Sequence, residues 1–209
     1  MTPPEDHPAV AELGRRAKLA SRIVARASSA QKDEALLLGA DLLLERSGDL
    51  LAANARDVAR AEADGTTPTV IDRLRLGEGR IAGMAGGLRG VAALADPVGE
   101  VIDGWVRPNG LRIERVRVPL GVVGIIYENR PNVTSDAAGL CLKSGNAAFL
   151  RGSSGAIDSN RAIAAVLREA ARKAGLAEDT VALVEDTSRE AAVAFMRQRE
   201  SIDCLIPRG

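Results

Sequence analysis

After residue 118 the chain alternates between short, continuously apolar runs and longer segments with helical spacing. A run without polar positions is typical of a strand buried on both faces, and hydrophobic residues three or four apart indicate helices packed against it. Strands that alternate with helices form parallel sheets, because each helix returns the chain to the start of the next strand. This pattern predicts a three-layer parallel α/β sheet of Rossmann-like type. The predicted strands are 121–127, 146–151, 180–185 and 202–207, and the predicted helices are 133–144, 153–175 and 188–199.

The first 98 residues show helical spacing almost throughout. We predict a helical part, 1–98, that belongs to the same unit as the sheet at 119–209. Ser29 is a candidate cap for the second helix, and "SGD" at 47–49 interrupts the pattern before the third. "TTP" at 66–68 offers a threonine cap with proline in the first turn.

Residues 99–118 read as two β arms around the turn "PNG". The apolar positions change parity between Ile113 and Val116, which predicts a bulge near Arg115. Trp105 stands out in a chain with 2% aromatic residues. Two interpretations remain open for it, namely packing beneath the hairpin or contact with another subunit.

Charge and composition favour a small-molecule partner over a nucleic acid or a membrane. The 28 basic residues balance the 28 acidic ones and are scattered along the chain. The sequence has no apolar run of membrane-spanning length, and its first residues lack the pattern of a signal peptide, so we expect a cytoplasmic protein. Two distant cysteines and one histidine, His7, predict neither a metal site nor a histidine-based catalytic centre.

Polar loops follow each predicted strand. Parallel sheets bind ligands beyond the carboxyl ends of their strands, often at helix N-termini. In "RGSSG", Arg151 suits a ribose 2′-phosphate and therefore NADPH, Gly152 allows close backbone approach, and Ser153 can cap a helix. A surface ion pair is the alternative role for Arg151. In "ENRPN", Asn132 is either a helix cap or a ligand contact.

The usual dinucleotide fingerprint G-x-G-x-x-G is absent from this position. Gly121 and Gly124 lie inside the first predicted strand instead of after it. Without this motif, the sequence does not predict a nucleotide site of the usual Rossmann kind.

A specific set of segments nevertheless resembles the γ-glutamyl phosphate reductases of the aldehyde dehydrogenase superfamily. These segments are "YENRPNVT", "CLKSGNA", "LRG", "VALVEDTSRE" and "IPRG", in this order. The resemblance implies NADPH-dependent reduction of L-glutamate 5-phosphate to glutamate 5-semialdehyde in proline biosynthesis, by a superfamily fold that binds its cofactor without the glycine fingerprint. It also implies a hairpin of the oligomerisation type at 99–118 and thus a homo-oligomer.

The resemblance assigns roles to the strand ends. Arg151 aligns with the basic residue that contacts the adenosine ribose, 126–129 with the strand end near the nicotinamide, and "IPRG" with the turn that meets the pyrophosphate. Asn132 is the candidate for substrate or oxyanion contact, although a shift of one residue moves that role within the loop. The implied cofactor-binding residues are Ile126, Tyr127, Glu128, Asn129, Arg151, Gly152, Ser153, Pro207, Arg208 and Gly209.

Neither cysteine matches the family's nucleophile. Cys141 falls within a predicted helix and Cys204 within a predicted strand, so both are expected to be buried structural residues. We therefore expect that this chain is the cofactor-binding half of a reductase, ends before the catalytic domain, contains no catalytic residue, and is inactive in isolation. The alternative is a natural short protein that only binds nucleotide or a partner subunit.

Overall fold

The fold is a four-stranded parallel sheet with helices on both faces, as seen in a computed structural model that describes residues 7–208. The helices are α1 (Pro8–Val24), α2 (Ser29–Glu45), α3 (Ser47–Ala63), α4 (Pro68–Leu74), α5 (Glu78–Ala92), α6 (Asn132–Lys143), α7 (Ile157–Lys173) and α8 (Arg189–Met196), and the strands are β1 (Val101–Val106), β2 (Arg112–Val116), β3 (Val122–Tyr127), β4 (Ala147–Arg151), β5 (Val181–Leu183) and β6 (Cys204–Arg208). Four of the strands form one sheet in the order β5-β4-β3-β6, and every neighbouring pair is parallel. The strands β1 and β2 form a separate antiparallel hairpin.

Strand β4 shows why the sheet needs helices on both sides. Ala147 and Phe149 point to one face, where they pack with α1 and α8, and the ring of Phe149 lies 4.6 Å from that of Phe195. Ala148 and Leu150 point to the other face, against the helices that include α2, α5, α6 and α7. The four residues 147–150 are all buried, two on each face of the sheet. Both faces of the strand must therefore be apolar, which explains the continuous apolar run in the sequence. The predicted three-layer α/β fold is confirmed.

The N-terminal helices belong to both outer layers of the sheet. Helix α1 contributes Val10 and Ala17 to the core with α8, whereas α2 and α5 join the core on the opposite face. The structure thus folds these helices around the sheet.

Several local predictions were wrong in detail. Ser28, not Ser29, caps α2, and its side chain and that of Gln31 form a reciprocal capping box. Ser29 instead donates a hydrogen bond to Asp96 (2.6 Å). The third predicted sheet strand, 180–185, shortens to the three residues of β5, and Thr67 occupies the cap position of α4 without a side-chain hydrogen bond.

The hairpin projects into solvent. Its register shifts between Val101 and Asp103, opposite Arg115 and Val116, so the predicted irregularity is present and its extra residue, Ile102, belongs to the first arm. Trp105 lies opposite Ile113 and is 44% exposed, which rules out the interpretation that it packs beneath the hairpin. Among residues 7–208, no helix combines the length and the apolar character needed to cross a membrane.

Candidate functional site

Residues from three strands meet at the carboxyl edge of the sheet. In the strand register, Ile126 of β3 lies beside Arg151 of β4 on one side and Pro207 of β6 on the other. Tyr127 and Arg208 form the next pair along. Five of the ten residues to which the resemblance assigned cofactor contacts are therefore neighbours in space, and Gly209 lies outside the described residues.

The loop after β3 is tied to the loop after β4 by one side-chain hydrogen bond. The hydroxyl of Ser153 donates to the amide oxygen of Asn129. A side chain on Gly155 would place its Cβ 2.7 Å from that same oxygen, so a glycine at 155 makes room for Asn129. Ser153 therefore connects the two loops and does not form a side-chain cap on the following helical turn. Glu128, the other loop residue assigned to the cofactor, is exposed.

A buried polar network lies directly beneath these loops. The hydroxyls of Tyr127 and Thr134 are 2.8 Å apart, and that of Thr134 donates to the amide oxygen of Asn160 (3.0 Å). A Cβ on Gly152 would overlap the amide nitrogen of Asn160 and lie 3.2 Å from the ring of Tyr127. Burial raises the pKa of Tyr127 to about 12, so its hydroxyl keeps its proton. Gly152 thus serves internal packing, and the side chain of Tyr127 is turned away from solvent.

Arg151 binds backbone and not a carboxylate. Its Nη2 donates to the carbonyl oxygens of Thr187 (3.0 Å) and Ser188 (3.3 Å), in the loop that leads into α8. Within residues 7–208 it forms no ion pair, so the alternative of a surface ion pair is not observed. Its Nε is buried and has no hydrogen-bond partner among those residues. An unsatisfied N–H at this position fits a ligand that supplies an acceptor oxygen.

An internal carboxylate already occupies the N-terminus of α7. Asp57, on α3, is fully buried and accepts hydrogen bonds from the backbone N–H groups of Asp158 (3.2 Å) and Ser159 (2.8 Å) and from the Ser159 hydroxyl (2.6 Å). Burial raises the pKa of Asp57, while these hydrogen bonds act in the opposite direction. The first amides of this helix are therefore not free for a phosphate. Polar residues at 54 and 57 among the apolar positions of α3 were the signal for this contact in the sequence.

A cavity of about 650 Å³ lies beside the loop after β3. The first residues of α6 and parts of the α4–α5 region line it. Asn132 is the first residue of α6 and forms no cap, because its amide instead donates to the carboxylate of Asp136 (3.0 Å). Arg73, Arg80 and Arg130 also line the cavity. The arrangement brings three guanidinium groups to the edge of the candidate site.

Both cysteines lie away from this edge. Cys141 is buried in α6, nine residues after its first residue, and burial raises the pKa of its thiol to about 12. A helix rises about 1.5 Å per residue, which puts this thiol about 13 Å along the axis from the loop. Cys204 begins β6 and is likewise about 13 Å from the strand end at about 3.3 Å per residue. The buried structural role predicted for Cys141 agrees with this geometry, whereas Cys204, in the sheet's outer strand β6, is partly exposed.

Two curated proteins that are similar to this chain in sequence have the same name. The γ-glutamyl phosphate reductases of Syntrophomonas wolfei and Moorella thermoacetica are 53% and 55% identical to it over 198 and 196 residues, which is 95% and 94% of this chain. The chain is a homologue of the γ-glutamyl phosphate reductases. It spans about half the length of these relatives, 47% in each case. No family model matches the chain.

Solved structures of γ-glutamyl phosphate reductases are similar in fold to this chain. The γ-glutamyl phosphate reductase of Thermotoga maritima is similar with a TM-score of 0.94 at 43% identity, over 96% of this chain and 48% of that one. The Saccharomyces cerevisiae reductase gives 0.87 at 30% identity, over 95% and 50%. A benzaldehyde dehydrogenase of Corynebacterium glutamicum, 18% identical with a TM-score of 0.75 over 96% and 40%, shares the fold. The predicted aldehyde dehydrogenase type of fold is confirmed.

Proposed function

We propose that the protein to which this chain belongs reduces L-glutamate 5-phosphate to L-glutamate 5-semialdehyde with NADPH, in the cytoplasm. In the balanced reaction the acyl phosphate, NADPH and one proton give the aldehyde, NADP⁺ and inorganic phosphate. The observation that carries the proposal is the identity of 53% to a γ-glutamyl phosphate reductase over 95% of this chain. A small-molecule substrate also fits the balanced charge of the sequence.

The strand ends are the part of the chain that would hold the cofactor. Arg151 is the residue proposed for the ribose 2′-phosphate, because its unsatisfied buried Nε and its guanidinium charge suit a phosphate oxygen. Ile126, Asn129 and Pro207 lie along the same edge, where a dinucleotide would extend across neighbouring strands. When bound, NADPH supplies the hydride.

Residues of the chain itself would orient the reactants. The hydrogen bond between Ser153 and Asn129 fixes the loop beside the reacting carbonyl, so the amide nitrogen of Asn129 is held in a defined place. Asn132, to which the resemblance assigns the substrate contact, follows the cavity-lining Arg130 by two residues, and its amide donates a hydrogen bond to Asp136. Asn129 and Asn132 are both candidates for the oxyanion contact.

The thiol that attacks the acyl phosphate would come from polypeptide outside these 209 residues. A thiol whose pKa is raised to about 12 is a poor nucleophile at neutral pH, and Cys141 also lies far along α6 from the loop. Cys204 is at the opposite end of its strand from Arg208. The same observations favour the second candidate function, a non-catalytic nucleotide-binding or subunit-interaction module, for the 209 residues alone.

The reverse reaction tests both functions. The full-length protein is incubated with glutamate 5-semialdehyde, NADP⁺ and inorganic phosphate, and NADPH is followed by its absorbance. Phosphate-dependent NADPH formation by the full-length protein, with none by residues 1–209 alone, is the expected result. Absence of turnover in the full-length protein contradicts the reductase function, and turnover by residues 1–209 contradicts the assignment of the thiol to another part of the polypeptide.

A further inference from the structure

Three arginines line the cavity beside the loop after β3. Arg73 belongs to α4, Arg80 to α5, and Arg130 to the loop itself, and all three line the same space. The volume of about 650 Å³ is within the usual range for a small-molecule site. Three separate elements thus contribute a guanidinium to one concave surface.

Two of these arginines have no acidic partner among residues 7–208. Arg80 is held in place, because it donates to the carbonyl oxygen of Arg75 (2.6 Å) and pairs with the carboxylate of Asp72 (3.3 Å). Arg73 and Arg130 form no ion pair and no side-chain hydrogen bond with any residue in the described range 7–208. Guanidinium groups bind planar oxyanions through paired hydrogen bonds, so two free ones at a cavity wall favour a carboxylate or a phosphate.

One carboxylate lines the same cavity and distinguishes these two ligands. Oδ2 of Asp136 accepts the hydrogen bond from Asn132, while Oδ1 accepts none from residues 7–208. A negative group next to the arginines opposes a phosphate of charge near −2 but pairs with an ammonium group. Positive and negative groups side by side match a ligand that carries both charges.

We propose that this cavity recognises the amino-acid head of the substrate, with Arg73 and Arg130 binding the α-carboxylate and Asp136 accepting a hydrogen bond from the α-ammonium group. The inference rests on the proposed function, since it assigns one end of the glutamyl substrate to a named site. The acyl phosphate at the other end of the substrate then lies towards Asn129, on the same loop as Arg130. The cavity makes the enzyme specific for an α-amino acid.

The reverse reaction separates the two anionic ends of the substrate, because the amino-acid head enters with the semialdehyde and the phosphate enters on its own. In the full-length protein, Arg130→Ala and Arg73→Ala are each expected to raise the KM for glutamate 5-semialdehyde about tenfold or more, with the KM for phosphate unchanged. Arg130→Lys keeps the charge and is expected to restore part of the affinity. Arg89→Ala is the matched control, since Arg89 is also on α5 but pairs with Asp41 outside the cavity.

A substrate analogue tests the acidic residue. Wild-type protein is expected to use 5-oxopentanoate, which lacks the α-amino group, with a KM about tenfold or more above that for the semialdehyde. Asp136→Asn should raise the KM for the semialdehyde and leave that for 5-oxopentanoate unchanged, so that the discrimination is lost. The exposed positions of Arg73, Arg130 and Asp136 allow these variants to fold.

Two results overturn the inference while the proposed function stands. If the arginine variants raise the KM for phosphate and not that for the semialdehyde, the cavity holds the leaving phosphate. If neither KM changes, the cavity is not part of the substrate site. If the wild type shows no phosphate-dependent formation of NADPH, the proposed function itself fails.

Discussion

Gly121, the residue before β3, has a backbone conformation that favours glycine. Its φ is +121°, and a Cβ there would overlap the carboxylate of Asp203. That carboxylate accepts a hydrogen bond from the backbone N–H of Val122 (2.8 Å) and pairs with Lys18 (2.6 Å). One glycine thus allows the starts of β3 and β6 to be joined to each other and to α1.

We predict that Gly121→Ala lowers the free energy of unfolding by about 2 kcal/mol or more, because it adds backbone strain and displaces Asp203. Urea unfolding followed by circular dichroism measures the change. Gly86→Ala is the control, since Gly86 is on the exposed side of α5 with open space around it, and it is expected to be neutral or stabilising by up to about 1 kcal/mol. Equal stability of the Gly121→Ala variant and the wild type would contradict the prediction.

Arg151 gives a second prediction at the level of single residues. If its guanidinium binds the 2′-phosphate, Arg151→Ala should weaken NADPH binding about tenfold or more and leave the weaker NADH binding nearly unchanged. Isothermal titration calorimetry measures both affinities. Arg172→Ala, on the exposed face of α7, is the matched control. Equal NADPH affinity of the Arg151→Ala variant and the wild type would show that Arg151 does not bind the 2′-phosphate.

At the level of elements, a buried ion pair connects α2 to the segment before the hairpin. Lys32 is 1% exposed, and its ammonium lies 2.5 Å from the carboxylate of Asp96. Burial raises the pKa of Asp96, but hydrogen bonds from Lys32, from Ser29 and from the backbone N–H of Val98 outweigh it and leave the pKa below its ordinary value. A carboxyl whose pKa is lowered by folding stabilises the fold above its unfolded pKa, and this contribution is lost as the pH falls through the folded value.

We expect Lys32→Met to lower the free energy of unfolding by about 3 kcal/mol at pH 7, since it leaves Asp96 without its cation. The difference from the wild type should shrink as the pH falls through the lowered pKa of the Asp96 carboxyl, which then becomes protonated. Urea unfolding at several pH values measures the difference in the free energy of unfolding and its change with pH. Arg112→Met removes an exposed partner of Glu114 and should cost less than about 1 kcal/mol. An equal loss for Lys32→Met at pH 7 and pH 3 would show that packing, not charge, explains it.

The elements that the sequence predicts well are those whose signal is local. The continuous apolar run of β3 and the helical spacing of α7 each follow from the side chains of one segment. The cap of α2 was misplaced by one residue, although the spacing from Ser28 to Gln31 is the local pattern of a capping box. What the local pattern does not encode is the contact of Ser29 with Asp96, 67 residues away.

The candidate site was predictable only in part, for the same reason. The strand ends were visible from the βαβ pattern, so the neighbourhood of Ile126, Arg151 and Pro207 could be expected. The contact of Arg151 with the carbonyl of Thr187 and the arginine-lined cavity depend on how α4, α5 and the loop before α8 pack, which no local pattern encodes. Trp105 shows the limit of burial tendencies, because aromatic residues are usually buried and this one is exposed.

For the whole molecule, the hairpin presents a group of exposed apolar side chains. Val101, Ile102, Trp105 and Val106 are 52%, 48%, 44% and 67% exposed. Apolar surface of this kind is typical of contacts between subunits. The homo-oligomer remains a prediction, and this surface is where we expect its interface.

We predict that Trp105→Glu combined with Val106→Glu weakens self-association of the full-length protein at least about tenfold, because the two carboxylates would have to be buried in the interface. Sedimentation velocity at several protein concentrations measures this change. Ile23→Glu is the control, because Ile23 is 50% exposed on α1, away from the hairpin. An unchanged sedimentation coefficient in the double variant would locate the interface elsewhere.

The carboxylate of Asp57 at the start of α7 has a consequence for how nucleotide preference can change in this fold. The partial positive charge at that helix end is already compensated from inside the protein. If the chain holds a dinucleotide as proposed, a change of preference between NADPH and NADH would depend on single side chains such as Arg151, because a new diphosphate cradle at this helix would first have to displace Asp57 of α3.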